Sequence, residues 1–206
     1  MRFIGITGGV GAGKSSILAY IRENYPCEIY LADEVAHEVK KPGTKCFQEI
    51  VRILGEDVLN EKGDIDKRRM AEKIFADERL LKQINDSVHP AVKIYLLNRL
   101  EEARKAGKVK LFFVEAALLI ECGYRELVDE MWYVYAKESV RRKRLRESRG
   151  YSEEKIDQIF DAQLSEEEFR QNSDFVIDNS GSLQDACRQI DERLVGYKKT
   201  LLEPAL

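Results

Sequence analysis

The chain has 206 residues, which is enough for one domain with a substantial core or for one domain that carries an insertion. Its hydrophobic content of 44%, charged content of 34% and net charge of −3 are typical of a soluble globular protein. They provide no global basis for binding nucleic acid or an anionic membrane, and the four scattered cysteines favour reduced thiols over a zinc site.

The first predicted elements are a strand, a glycine-rich loop and a helix. Residues 3–7 are apolar and β-branched, as in a buried strand, and residues 16–22 place their apolar side chains on one helical face. Between them, residues 8–15 read GGVGAGKS and match the phosphate-loop pattern G-x-x-x-x-G-K-[ST] at each fixed position. This pattern predicts a binding site for the phosphates of a nucleoside triphosphate.

The backbone and two side chains of this loop account for the predicted chemistry. Glycines let successive N–H groups form a concave nest, and the following helix adds the positive end of its dipole. We expect Lys14 to reach the β- and γ-phosphates and the Ser15 hydroxyl to ligate Mg²⁺. The predicted nucleotide-binding residues are Gly9, Val10, Gly11, Ala12, Gly13, Lys14, Ser15 and Ser16.

The segment between the second and third predicted strands is mostly helical. A short strand at 29–31 leads into a helix through residue 39, and a second helix covers 47–54 and ends at Gly55. Residues 56–66 favour a loop or short hairpin, and helical patterns return at 68–75, 80–88 and 92–105. These roughly 75 residues exceed what a crossover connection needs. We therefore expect an inserted helical subdomain that covers a substrate.

Three further strands are predicted at 109–114, 131–135 and 175–177, with helices between them. The alternation favours a parallel sheet with helices on both faces, whose ligands bind at the carboxyl ends of the strands. Ser165 and Ser182 each have capping-box spacing before a helix. The tail from Lys198 is expected to fray, and the strand that begins near Met1 leaves no room for a signal peptide.

Three side chains near predicted strand or helix ends allow two interpretations each. Asp33 either accepts the proton of a hydroxyl nucleophile or serves as a helix N-cap. Glu115 follows the third strand and either contacts Mg²⁺ or substrate or faces solvent. His89 precedes Pro90, which favours a helix boundary over a role in donating to a substrate phosphate.

Residues 137–149 carry seven basic and two acidic side chains. Such a run is usually a solvated helix face, and no interleaved aromatic residues support a nucleic-acid patch. Its position after the fourth strand, before Gly150, also fits a lid that brings arginine to a transferring phosphoryl group.

Several segments together resemble one family over essentially the whole chain, the dephospho-coenzyme A kinases. They are residues 5–15, 32–33 with 36–38, 42–43, Phe75 with 89–90, 118–121, 162–163 and 174–179. The resemblance implies transfer of the γ-phosphate of ATP to the ribose 3′-hydroxyl of dephospho-CoA, giving CoA and ADP. This reaction is the last step of coenzyme A synthesis.

The resemblance also implies an α/β P-loop NTPase fold in three layers, with a five-stranded parallel sheet. The implied core is 1–32, 108–136 and 166–206, with a helical CoA-binding insertion at 33–107 and a lid at 137–165. The implied catalytic residues are Asp33, Lys14 and Arg144, and the implied substrate contacts are Asp33, His89, Glu115 and Leu118. The expected cofactors are ATP and Mg²⁺, in a cytoplasmic monomer or weak homo-oligomer whose partner is dephospho-CoA rather than nucleic acid or membrane.

The chain departs from the family pattern at five places. Leu31 replaces an aspartate, Lys67 an arginine, Glu115 the more usual aspartate and Ala117 a proline, while the lid's second arginine aligns with Ser148, one place before Arg149. Three rival functions follow. The chain is a kinase for another small hydroxylated metabolite or nucleotide, a nucleotide-binding kinase that no longer transfers phosphate, or a GTPase-like switch. The last lacks support, because neither an N-K-x-D motif nor a D-x-x-G after the third strand is present.

Overall fold

A computed structural model describes residues 1–195 of the chain. The frayed tail that the sequence predicts from Lys198 lies outside the described residues, as does the end of the predicted 166–206 core segment. The architecture within residues 1–195 is a sheet of five strands with helices between them.

The five strands form one sheet in the order β2-β3-β1-β4-β5. β1 pairs in parallel with both β3 and β4, and β4 pairs in parallel with β5. This arrangement confirms the predicted α/β fold with a parallel sheet. The strands are β1 (Arg2–Thr7), β2 (Cys27–Leu31), β3 (Leu111–Glu115), β4 (Glu130–Tyr135) and β5 (Phe175–Asp178).

The centre of the sheet is apolar because both faces of its middle strands are buried. In β3 and β4, Phe112, Phe113 and Trp132 have no exposed surface, and Phe3 of β1 is 1% exposed. Their rings meet edge to face: Phe3 contacts Phe112, and Trp132 contacts both Phe113 and Phe175. These contacts make β1, β3 and β4 a rigid base for the loops at their carboxyl ends.

Nine helices accompany the strands in residues 1–195. They are α1 (Lys14–Asn24), α2 (Ala32–Glu38), α3 (Lys45–Leu54), α4 (Lys67–Ala76), α5 (Glu78–Ala106), α6 (Glu138–Arg149), α7 (Glu153–Asp161), α8 (Glu166–Gln171) and α9 (Leu183–Arg193). The predicted capping boxes are confirmed: Ser165 begins α8 and Ser182 begins α9, each with reciprocal side-chain bonds. Gly55, with φ of 86°, ends α3 where the sequence predicts.

The chain divides into two compact units. One contains Met1–Ile29 and the described residues from Ala103 onward, and so holds most of the sheet. The other is Tyr30–Glu102, which contains α2, α3, α4 and most of α5. The sequence predicts a helical insertion over 33–107, and the second unit covers most of that range.

The predicted helix boundary at His89-Pro90 is wrong. Pro90 lies inside α5, which runs without a break for 29 residues. The reason is the apolar stripe that continues at four-residue spacing on both sides of the proline, with Ile84, Val88, Val92 and Leu96 all buried. Burial of this stripe offsets the hydrogen bond that proline cannot donate.

Residues 56–66 contain a 3₁₀ turn at Glu56–Val58 and a single antiparallel bridge between Leu59 and Ile65, so the predicted loop or short hairpin is confirmed. None of the helices within residues 1–195 is long and apolar enough to span a membrane.

Candidate active site

The phosphate loop connects the carboxyl end of β1 to the start of α1, as its pattern predicts. Gly13 is the N-cap of α1 with φ of 94°, and a β-carbon there would lie 2.3 Å from Nδ2 of Asn179. Gly8 has φ of 147°, and a β-carbon there would lie 2.4 Å from the carbonyl oxygen of Val134 in β4. Both positions therefore require glycine, for conformation and for space.

Several side chains hold the carbonyl groups of the loop. Lys14 Nζ donates to the Gly8 carbonyl at 2.7 Å, and Asn179 Nδ2 donates to the Ala12 carbonyl at 2.8 Å. Arg144 Nη1 also donates to the Ala12 carbonyl, at 3.1 Å. In a planar trans peptide the following N–H points away from the carbonyl, so each bond also orients an N–H group. The loop is thereby preorganised to present N–H groups to an anion.

The remaining residues that are predicted to bind nucleotide lie at the start of α1. Ser15 and Ser16 lie in its first turn with exposed side chains, and the Ser16 N–H donates to the Gly13 carbonyl. Lys14 Nζ lies 3.6 Å from Oε1 of Glu115, and these two side chains are 14% and 17% exposed. Of the two interpretations of Glu115, the one in which it faces solvent is therefore wrong, since it ends β3 beside Lys14.

The basic run of residues 137–149 forms α6 and divides into two groups. Arg144 donates to the Ala12 carbonyl and, through Nη2, to the Asn179 carbonyl at 2.9 Å. Arg141 donates to the Val10 carbonyl at 2.9 Å. Arg142 and Arg146 instead form ion pairs with Glu153 at the start of α7. The solvated-face interpretation thus fits only part of the run.

Arg141 also contacts the loop, although the sequence did not single it out from the basic run. Its Nη2 donates to Oε1 of Gln163 at 2.6 Å, and its guanidinium carbon lies 4.1 Å from the centre of the Phe160 ring. Burial lowers the pKa of Arg141 from its usual value. The guanidinium is therefore enclosed between the loop and the segment that follows α6.

Asp33 belongs to the second unit, where it is the second residue of α2 and exposed. The N-cap of α2 is Leu31, and it provides no side-chain cap, so the N-cap interpretation of Asp33 is wrong. The half-buried Lys40 interacts electrostatically with Asp33 and with Lys67. Burial lowers the pKa of Lys40 from its usual value. Lys40 is thus an electrostatic neighbour of Asp33 that sequence spacing did not reveal.

The two other predicted substrate contacts lie on exposed surface. His89 is exposed in the middle of α5. Leu118 is 49% exposed in the turn after β3, next to the fully buried Leu119. The Thr7 hydroxyl at the end of β1 donates to the Ala117 carbonyl at 3.2 Å, which ties this turn to the residue before the phosphate loop.

Comparison with known proteins adds the family. The sequence model of a protein family, described as "Dephospho-CoA kinase", matches residues 2–185, which is most of the chain. The chain belongs to the dephospho-CoA kinase family. A dephospho-CoA kinase of Geobacter sulfurreducens is 36% identical over 192 residues, which cover 93% of this chain and 96% of that protein.

Solved structures support the same fold for this member of the dephospho-CoA kinase family. A crystal structure of a protein from Thermus thermophilus is 30% identical with a TM-score of 0.75, and the match covers 98% of each chain. A dephospho-CoA kinase from Campylobacter jejuni has a TM-score of 0.72 over 96% of this chain and 98% of its own. At 22% identity, the second structure bears on the fold alone.

Three of the departures from the dephospho-CoA kinase pattern lie in α6 or at the ends of secondary-structure elements. Ser148 Oγ donates to the Arg144 carbonyl one turn earlier in α6, at 2.6 Å, and Arg149 is exposed with its guanidinium 5.9 Å from the Tyr151 ring centre. Lys67 begins α4, whose N-cap is Asp66. Leu31 ends β2 and precedes α2 directly.

Sequence reasoning assigned no role to three residues that build the loop's surroundings: Arg141, Gln163 and Asn179. Gln163 and Asn179 fall in segments that carry the family resemblance, so a signal was present without a function attached. Asn179 is 3% exposed, and a buried amide implies hydrogen bonding that its sequence position alone cannot specify.

Proposed function

We propose that this chain transfers the γ-phosphate of ATP to the ribose 3′-hydroxyl of dephospho-CoA, giving CoA and ADP. The reaction is the last step of coenzyme A biosynthesis. One observation supports it above the others. A complete phosphate loop, whose carbonyl groups accept hydrogen bonds from Lys14 and Arg144, occurs in a chain that belongs to the dephospho-CoA kinase family. Family membership identifies the acceptor, which a phosphate loop alone does not.

On the nucleotide side, the loop N–H groups and the N-terminus of α1 bind the phosphates. Lys14 and Arg144 neutralise charge that develops as the phosphoryl group moves. Lys14 lies beside Glu115, and phosphates bind Lys14 in competition with that carboxylate.

The donor set around the loop fits Mg²⁺. Mg²⁺ binds oxygen ligands and usually retains waters and substrate phosphates, so one hydroxyl from the protein is sufficient. The exposed Ser15 hydroxyl in the first turn of α1 is the proposed ligand. When bound, the ion screens the charge of the phosphates and orients them for in-line transfer.

On the acceptor side, Asp33 orients the 3′-hydroxyl and accepts its proton. The hydroxyl oxygen forms a bond to the γ-phosphorus, the bond from that phosphorus to the β,γ-bridging oxygen breaks, and ADP leaves with the electron pair. His89, Glu115 and Leu118 are the proposed contacts to dephospho-CoA. We place the protein in the cytoplasm, as a monomer or weak homo-oligomer that needs no nucleic acid or membrane.

The test is to incubate the purified protein with ATP, Mg²⁺ and dephospho-CoA and to measure CoA by mass spectrometry. Adenosine and nucleoside monophosphates serve as competing acceptors. We expect CoA as the preferred product, and we expect Lys14→Met to abolish it while Lys62→Met, a change to an exposed lysine, does not. Phosphorylation of another acceptor in preference to dephospho-CoA would overturn the substrate assignment, and nucleotide binding without transfer would indicate an inactive kinase.

A further inference from the structure

One side chain of α6 joins three separate parts of the sheet-containing unit. Arg141 donates through Nε to the Val10 carbonyl and through Nη2 to Oε1 of Gln163, and it stacks on the ring of Phe160. A β-carbon added to Gly9 would lie 2.3 Å from Nη2 of Arg141, so the guanidinium lies directly against the loop backbone.

The bond to Val10 has a consequence inside the loop. The Val10–Gly11 peptide is planar and trans, so a carbonyl directed at Arg141 leaves the Gly11 N–H directed the opposite way. Gly11 has φ of 83°, a conformation that glycine can leave easily because it has no side chain to restrict it. A fixed partner on the preceding carbonyl therefore restricts the orientation of this N–H.

The partners of Arg141 also leave its charge available to the loop. Both acceptors of its hydrogen bonds are neutral, a backbone carbonyl and a side-chain amide oxygen. Arg142, the next residue, instead forms ion pairs with Glu138, Glu153 and Asp157. Arg141 therefore places its positive charge directly against the phosphate loop, whereas Arg142 is paired with three carboxylates.

We propose that Arg141 is a positioning residue of the nucleotide site: it fixes the Val10–Gly11 peptide so that the Gly11 N–H faces the phosphates. Gln163 and Phe160 hold the guanidinium in place for this purpose. Arg141 thereby supplies a second arginine contact to the loop beside Arg144, in a chain where Ser148 occupies the position of the lid's second arginine. The proposal rests on the assignment of the loop to ATP.

The first test measures the affinity of the protein for MgADP by calorimetry, without any acceptor. Arg141→Gln is expected to weaken binding about tenfold or more, as loss of a charged hydrogen bond does. Arg141→Lys is expected to remain weak, because an ammonium group lacks the planar fork that reaches both acceptors and stacks on the ring. Lys143→Gln removes the same charge from an exposed position of α6 and is expected to bind as the wild type does.

A second test isolates the positioning role from the charge. Gln163→Leu removes the amide that holds Nη2, and we expect it to weaken MgADP binding alone but to add nothing to Arg141→Gln. In turnover assays Arg141→Gln is expected to raise KM for ATP while KM for dephospho-CoA stays near wild type. These readouts separate positioning from a general loss of stability.

Three results would overturn the inference. They are wild-type affinity in Arg141→Gln, full rescue by Arg141→Lys, and additive effects of Arg141→Gln and Gln163→Leu. A wild-type protein that binds MgADP but makes no CoA would contradict only the proposed function. A wild-type protein that binds no MgADP would contradict the assignment of the loop and this inference together.

Discussion

At the scale of single residues, the side chains that carry the proposed chemistry differ in what surrounds them. Lys14 has a neighbouring carboxylate in Glu115, and Asn179 is buried against the loop. Asp33 is exposed, with Lys40 as an electrostatic neighbour in its own unit. Substitutions at these positions therefore test different things: chemistry at Asp33 and preorganisation of the loop at Asn179.

The substitution Asp33→Asn tests the proposed role of this carboxylate in accepting a proton. An amide occupies nearly the same volume but cannot take up the proton, so kcat is expected to fall by about 10²–10⁴-fold. MgADP affinity should remain that of the wild type, because the loop and Lys14 are unchanged. Glu34→Gln is the matched control, since Glu34 is an exposed carboxylate in the same helical turn. Near-normal turnover of Asp33→Asn would remove Asp33 from the mechanism.

The substitution Asn179→Ala tests how far the loop depends on one buried amide. It removes the donor to the Ala12 carbonyl, and we expect a loss of about 1–3 kcal/mol in the free energy of unfolding. Added MgADP should stabilise the variant less than the wild type, because the loop is less well ordered. Urea denaturation with and without MgADP measures both effects. Asn24→Ala, at the exposed end of α1, should change neither, and equal curves for Asn179→Ala and the wild type would contradict the prediction.

At the scale of secondary-structure elements, α6 shows how one charged helix serves two purposes. Arg141 and Arg144, three residues apart, lie on one face and contact the phosphate loop. Arg142 and Arg146, four residues apart, lie on another face and form ion pairs with Glu153 of α7. The spacing of its arginines therefore lets this helix contact the loop on one face and α7 on another.

Helix α9 provides a stability test at the same scale. Its N-cap Ser182 bonds reciprocally with Asp185, and Ala186, Ile190 and Leu194 are fully buried behind this cap. Ser182→Ala is expected to lower the free energy of unfolding by about 1 kcal/mol, as loss of an N-cap does. Thermal melting measures the change, and Ser139→Ala, at an exposed position of α6, should leave it unaltered. An unchanged melting temperature for Ser182→Ala would show that packing alone defines the start of α9.

At the scale of the whole molecule, what the sequence predicts correctly is what is encoded locally. The strand, phosphate loop and helix of residues 2–24 follow from adjacent residues, as do the capping boxes at Ser165 and Ser182. The boundary predicted at Pro90 is wrong because the rule that proline disfavours the helical conformation in the preceding residue is local. It takes no account of the buried apolar stripe on both sides of the proline. The contact of Arg141 with Val10 spans 131 residues, and no local pattern specifies which arginine of a basic run turns inward.

The response of the whole molecule to alkali follows from its tyrosines. Burial raises the pKa of Tyr20, Tyr124 and Tyr133 to about 12, and burial with a hydrogen bond to Asp191 raises the pKa of Tyr25 further. Above pH 10 the unfolded chain releases protons that the folded chain retains, so the free energy of unfolding must decrease as pH rises from 10 to 12. One retained proton accounts for at most about 1.4 kcal/mol per pH unit.

Urea denaturation at several values between pH 9 and 12 should show this decline in the free energy of unfolding. Tyr124→Phe removes one of these tyrosine hydroxyls and should make the decline shallower. A slope that is equally steep in Tyr124→Phe would assign the alkaline loss to other groups.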